Sequence, residues 1–267
     1  MTDRDGNISE LALRPEMTPS VTRMVAARYP QLPKPIRWFS IANFYRNERP
    51  QRGRNREFWQ LNVDLFGETG ERGLLEILQL AMELMIAFQP PKDSWSLALN
   101  HRGLINAVLD SLDIDSSRQT DVVRTMDKFH KLDSKTFDDI LVGYGLSAKQ
   151  AHSIRNFLVC ENVERVIEQF PSVADHVAVM ELQQTIDDLK KLDYSDVVRF
   201  DASLMRGFDY YDGVVFEVFD HHPDNNRALF GGGCYDGLAD IFGVKDSISA
   251  VGFAPGDETM KLFLESR

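Results

Sequence analysis

The sequence predicts an α+β domain in which helices pack on an antiparallel-dominated sheet and an all-helical block interrupts the strands. Three observations predict it. Aromatic-rich runs at 36–45 and 58–66 bracket a segment containing Pro50 and Gly53, which is the pattern of a hairpin with a long tip. From about residue 102 to residue 192 the periodicity is helical throughout. Strand patterns resume at 197–203, 212–219 and 248–254, without the strand-and-helix alternation of a doubly wound fold.

In chain order, "TDRDGN" reads as a turn leading into the strand-like "SELAL". "IRWFSIANFY" and "FWQLNVDLF" are the hairpin strands. "ERGLLEILQLAMELMIAF", 71–88, has apolar residues at helical spacing and stops at "QPPKD", where two prolines cannot continue a helix. "SWSLALN" is a short strand. Five helical segments follow: "RGLINAVLDSL", "QTDVVRTMDKFHKL", "TFDDILVGYG", "SAKQAHSIRNFLV" and "VAVMELQQTIDDLKKL". "VVRFDAS" and "DGVVFEVF" are strands, glycines cluster in "FGGGCYDGL", "ISAVGFA" is a buried strand and "DETMKLFLES" a closing helix. The organisation expected is a first domain part at 1–101, a helical insertion at 102–194 and a second domain part at 195–267.

The formal net charge is -11, which disfavours non-specific coating of nucleic acid or membrane, so any phosphate partner has to be met by a local basic site. Cys160 and Cys234 form no CxxC pair, which removes support for a metal-site spacing or a disulfide framework and fits a reduced, cytoplasmic setting. No apolar run is long enough to span a bilayer. Neither GxGxxG nor GxxxxGK[ST] occurs, so arginines would have to replace the usual phosphate cradles.

Such arginines exist. Arg46, Arg49, Arg52, Arg54 and Arg56 crowd the hairpin tip. A guanidinium is always charged and presents a planar fork of donors, suited to a polyphosphate and to charge developing at a phosphorus under attack. Arg46 stands at a strand end, where a side chain is held better than at a loop tip. In the strand that follows, Trp59, Leu61, Val63 and Leu65 share one face, expected to meet the core, and Gln60, Asn62 and Asp64 share the other, beside the arginines.

"FYRNERPQRGRNREFWQLNVDLFG" resembles motif 2 of the class II aminoacyl-tRNA synthetases in its histidyl form, and "LRPEMTPS" is similar to that family's amino-acid-binding segment. "MRGFDYYDGVVFEVF", "GGGCYDGLADIFG" and "SAVGFAPGDETMKLFLE" resemble the histidyl signatures and motif 3, in family order. The resemblance implies a class II synthetase-like sheet and a histidine-tRNA ligase core, with histidine, ATP accompanied by Mg2+, and tRNA(His) as partners, no protein-ligated metal and a homodimer. It assigns Arg46 and Arg206 to the α-phosphate, Glu48 to the adenine end and Arg54 to the outer phosphates. For histidine it assigns Glu16, Thr18 and Gln60 to the amino group, and Asp64, Tyr210 and Tyr211, with Arg206 nearby, to the side-chain pocket. Tyr210 and Tyr211 would face opposite ways if extended, so one of them is expected to line the pocket. Asn62 is expected to matter less than Gln60.

Two positions depart from the pattern. Thr259 stands where motif 3 carries an arginine that reaches adenine and the γ-phosphate, and Cys234 stands where another arginine is usual. Arg54, Lys261 or another cation would have to compensate. The segment with motif 1 and the C-terminal anticodon-binding domain are not matched, so the chain is expected to be a catalytic-domain fragment with apolar surface exposed. The alternative reading is a non-catalytic histidine-sensing paralog, such as the regulatory subunit of ATP phosphoribosyltransferase. Arg118, Arg124, Lys128, Lys131 and Lys135 give one end of the insertion a basic character that permits RNA contact.

Overall fold

The arginine segment joins two long strands. In a computed structural model that describes residues 12–205, 210–225, 227–244 and 247–266, β1 (Ile36–Tyr45) and β2 (Glu57–Phe66) pair antiparallel along their full length, from Ile36↔Phe66 to Tyr45↔Glu57. The predicted turn and most of the predicted strand at 2–13 lie outside the described residues.

Before the hairpin, α1 (Thr18–Arg28) covers one side of the sheet. The sequence pattern does not mark it, because two of its four buried positions are threonines, Thr18 and Thr22, which break the apolar stripe formed by Val21 and Val25. After the hairpin come α2 (Glu71–Ala87) and β3 (Trp95–His101). Six helices then run in succession: α3 (Arg102–Ser111), α4 (Ser116–Met126), α5 (Ser134–Gly143), α6 (Ala148–Leu158), α7 (Val163–Gln169) and α8 (Val177–Lys191). Side-chain caps set most of their starts, including Asp115, Asp133, the Ser147–Gln150 capping box and Asn162. α7 is too short to show a period and is not expected from the sequence. The chain closes with β4 (Val198–Phe200), β5 (Val214–Asp220), β6 (Ala228–Cys234), β7 (Ala250–Phe253) and α9 (Asp257–Glu265).

The seven strands form one sheet in the order β1-β2-β7-β6-β5-β3-β4. It is antiparallel except where β4 pairs parallel with β3, Leu97↔Val198 to Leu99↔Phe200. The helical block is a crossover: the chain leaves β3 at His101 and comes back to its opposite end, where Val198 pairs with Leu97, and a parallel partner requires such a connection. The glycine cluster "FGGGC" forms a central strand, β6. A Cβ on Gly232 would lie 2.1 Å from the Gly252 carbonyl oxygen, and one on Gly252 would lie 2.4 Å from that of Val63. Only glycine lets β2, β7 and β6 close up here.

The main apolar cluster runs from the sheet (Leu97, Leu99, Phe216) into the helical block (Val108, Phe137, Phe157) without a break. His101 reinforces that junction: its Nδ1 accepts from the Gly103 N–H at 2.9 Å, capping α3, and its Nε2 lies 2.9 Å from Glu181 on α8. A second cluster joins Val21 and Val25 of α1 to Ile36, Phe66, Tyr235 and Ile248.

The expected orientation of β2 holds in part. On its polar face Asn62 and Asp64 are buried; its apolar face meets the core only at its far end, where Leu65 is buried in the main cluster and Val63 packs against it, while Trp59 near the hairpin tip is 52% exposed. On the same face of the neighbouring strand, Phe39 is 74% and Ile41 64% exposed, opposite Val63 and Leu61. No core covers this end of the hairpin among the described residues; α1 and the strand-end aromatics gather on the other side.

Candidate active site

A cavity of about 1090 Å³ opens over the polar face of β2 and is walled by the hairpin tip, β6, the start of α9 and the segments around 201–205 and 210–211. Arginines line one part of it and an aromatic and amide pocket lines another.

In the basic part, Arg46 follows directly on β1. Its backbone N–H donates to the Arg56 carbonyl at 2.8 Å, which closes the strand end. Its Nε donates to the Pro15 carbonyl at 3.0 Å, and the guanidinium lies 4.9 Å from the centroid of the Phe58 ring. These contacts fix one edge and one face of the fork, and among the described residues no carboxylate pairs with it. The hairpin tip folds on itself through the Gln51↔Arg54 bridge, and Arg54 forms an ion pair with Glu48. The two residues assigned to opposite ends of a nucleotide therefore hold each other. The tip rests on α9: a Cβ on Gly53 would lie 2.9 Å from Leu262 and 3.7 Å from Thr259. Arg227, just before β6, donates to Gln51 Oε1 at 2.5 Å and lines the same end. Arg206 lies outside the described residues.

In the polar part, Glu16 and Thr18 line the cavity at the start of α1, and Glu16 accepts from the Tyr210 hydroxyl at 3.2 Å. Gln60 lines it too, its Nε2 donating to the Ala254 carbonyl at 3.1 Å. Tyr210 and Tyr211 both line it, their ring centroids 4.7 Å apart. They lie in a turn and not a strand, which is why the expected alternation fails. Tyr235 completes an aromatic trio, with centroids 6.0 and 6.1 Å from Tyr210 and Tyr211. Asp64 is not among the lining residues. It is buried behind Tyr235, whose hydroxyl donates to its Oδ1 at 2.5 Å, and burial pushes its carboxyl up to about 6. Burial also raises the Tyr210 and Tyr235 hydroxyls, so both are neutral donors at physiological pH.

A sequence profile described as histidyl-tRNA synthetase matches residues 1–258. The chain belongs to the histidyl-tRNA synthetase family. A histidine--tRNA ligase from Leptospira biflexa is 40% identical over 96% of this chain and 58% of its own length, and one from Halobacterium salinarum is 36% identical over 99% and 60%. The chain thus spans about three fifths of these curated relatives. A crystal structure titled as an ATP phosphoribosyltransferase regulatory subunit/histidyl-tRNA synthetase from Bacillus halodurans superposes with a TM-score of 0.80 at 25% identity, covering all of this chain and 67% of that one. The seven-stranded sheet with flanking helices is the fold of this family.

In histidyl-tRNA synthetase terms the two departures are now located. Thr259 lines the basic part, but its Oγ1 is turned to the protein, donating to the Leu229 carbonyl at 2.6 Å and so fastening α9 to β6. Lys261 is exposed and pairs with Glu265, away from the cavity lining. Cys234 packs against Gly213, and burial raises its thiol far above the usual range. Among the described residues no group of three or more His, Cys, Asp or Glu side chains is placed to hold a metal ion, and no helix is long and apolar enough to cross a membrane. The helical block reaches the cavity mouth, where Lys131 lines it and His130 Nε2 lies 2.9 Å from the Ser203 hydroxyl.

Three cavity-lining residues carry no assignment from the sequence. Tyr235 adjoins Cys234, and its signal was the tyrosine in "GGGCYDG". Asn62 was legible as a member of the polar face, but not its burial. Arg227 had no signal, because only the fold brings it to the hairpin tip.

Proposed function

We propose that this cavity activates histidine with ATP and passes the histidyl group to tRNA(His). The histidine carboxylate attacks the α-phosphorus, the bond to pyrophosphate breaks, and histidyl-adenylate forms; a terminal ribose hydroxyl of the tRNA then attacks the acyl carbonyl and AMP leaves. Two anions must meet in the first step, so cations fixed before substrate arrives lower the barrier. The observation that carries the reading is Arg46, clamped by Pro15 and Phe58 at the boundary between the arginine-lined and the tyrosine-lined parts of one cavity.

In this reading Arg46 holds the α-phosphate and Arg206, from the "MRGFDYY" signature, joins it. Arg54 exchanges Glu48 for the outer phosphates, which frees Glu48 for the adenine end, and Arg227 supplies the cation that Thr259 does not. Mg2+ enters with ATP. Glu16, Thr18 and Gln60 receive the amino group, and Tyr210, Tyr211 and Tyr235 enclose the side chain, with Asp64 acting through Tyr235. The exposed Phe39, Ile41 and Trp59 face supports a homodimer, the basic end of the helical block at the cavity mouth supports contact with the tRNA, and the setting is cytoplasmic.

The test is histidine-dependent exchange of pyrophosphate into ATP, compared with Arg46→Ala and Arg206→Ala. Exchange that both substitutions abolish is expected. Histidine binding without exchange would overturn the enzyme reading in favour of a histidine sensor, a reading kept open by Thr259 and by the dual title of the Bacillus halodurans protein.

A further inference from the structure

Of the polar side chains on β2, Asn62 is the one whose bonding is incomplete. It is 2% exposed, lines the cavity, and its Oδ1 is buried without a hydrogen-bond partner among the described residues. Its neighbours on the same face are engaged: Gln60 donates to Ala254 and Asp64 accepts from Tyr235. Nor is it satisfied from its own strand pair, since Ser40, directly opposite on β1, also has a buried Oγ with no partner. A buried amide oxygen left unpaired is unfavourable, and native structures tolerate one where something else completes it.

We infer that Asn62 is a direct substrate contact that reads the N–H of a neutral imidazole from the floor of the cavity. This deepens the proposed function and rests on it. The tyrosine trio gives flat walls for a heteroaromatic ring, and an uncharged amide oxygen at the base accepts one N–H without requiring the ring to be protonated. Asp64 accepts from the Tyr235 hydroxyl and so orients one wall of the pocket. In this inference Asn62, expected from the sequence to matter less than Gln60, joins the residues that read the substrate.

The experiment is calorimetric titration of the chain with histidine and with its two ring-N-methyl isomers, repeated for Asn62→Ala, with a non-hydrolysable ATP analogue as control. Wild type is expected to bind histidine and to reject at least one isomer. Asn62→Ala is expected to lose about tenfold or more in histidine affinity, to bind the rejected isomer almost as well as histidine, and to keep its affinity for the ATP analogue. Wild type failing to bind histidine would sink the proposed function itself. Wild type binding histidine while Asn62→Ala keeps both affinity and discrimination would overturn this inference alone. Should Asn62→Ala not fold, Asn62→Asp, of nearly equal volume, carries the test. A carboxylate against the ring favours imidazolium, so its histidine affinity should rise from pH 8 to pH 6 relative to wild type, and an unchanged pH profile would refute direct contact.

Discussion

Asp64 is a carboxyl that folding moves the wrong way. Its ordinary value of 3.8 rises to about 6 because burial outweighs the hydrogen bond from Tyr235. The native state therefore holds its proton more tightly than the unfolded chain. That carries no penalty below about pH 4, where both states are protonated. Between about pH 4 and pH 6 the unfolded chain ionises while the folded carboxyl keeps its proton, so stability falls as the pH rises toward 6 and levels off above it. At 1.36 kcal/mol per pH unit the gap corresponds to about 3 kcal/mol, present in full above pH 6. Asp64→Asn keeps the volume and an acceptor for Tyr235 but removes the charge. It should unfold about 3 kcal/mol harder than wild type at pH 8 and with no difference near pH 4, measured by urea denaturation of both proteins at each pH. The difference between the two proteins isolates this residue from every other titrating group. Equal stability at pH 8, or a gain that persists unchanged at pH 4, would show that Asp64 does not carry a buried charge.

The remaining expectations concern neighbouring groups. Tyr235→Phe removes the donor to Asp64 and should cost about 1.5–3 kcal/mol at pH 8, by the same denaturation assay, because the carboxylate loses a charge-assisted partner. Arg46→Ala should lower histidine-dependent pyrophosphate exchange by about 10²–10³ while leaving histidine affinity near wild type; a matching loss of both would show that Arg46 acts on folding or on the amino acid. Arg227→Ala should raise the KM for ATP several-fold, and less so at high salt because the site is open, with the KM for histidine unchanged. If the open face at Phe39 and Ile41 mediates association, Ile41→Lys should shift light-scattering mass toward the monomer, and a native chain that is monomeric at all concentrations would refute that assignment.

What could be read from the sequence followed from how local its cause is. The hairpin strands, α2 and the helical block announce themselves by period, and their limits fall within a few residues of those observed. α1 escaped because threonines occupy its buried stripe, and α7 because seven residues are too few to show one. The place of Arg46 in the cavity wall is legible because a strand end holds a side chain whatever surrounds it. The pairing of Arg54 with Glu48, the approach of Arg227 to Gln51 and the shielding of Asp64 by Tyr235 join residues 6, 176 and 171 positions apart or depend on such contacts, and no local pattern encodes them.

The alternation in "FWQLNVDLF" shows how far a pattern can be read and where it stops. Period two fixes which side chains share a face but not which face is covered. Hydrophobicity ordinarily decides that, and here it decides only half the strand: Leu65 is buried in the core, but Trp59 is open while Asn62 and Asp64 on the polar face are buried. Burying an amide and a carboxylate without full compensation is unfavourable, so the arrangement is held by the rest of the sheet, through glycines in β6 and β7 that admit no side chain and through α1 closing over the strand. Asp64 finds its partner in Tyr235, and in the proposed function the partner that the Asn62 oxygen lacks is the substrate.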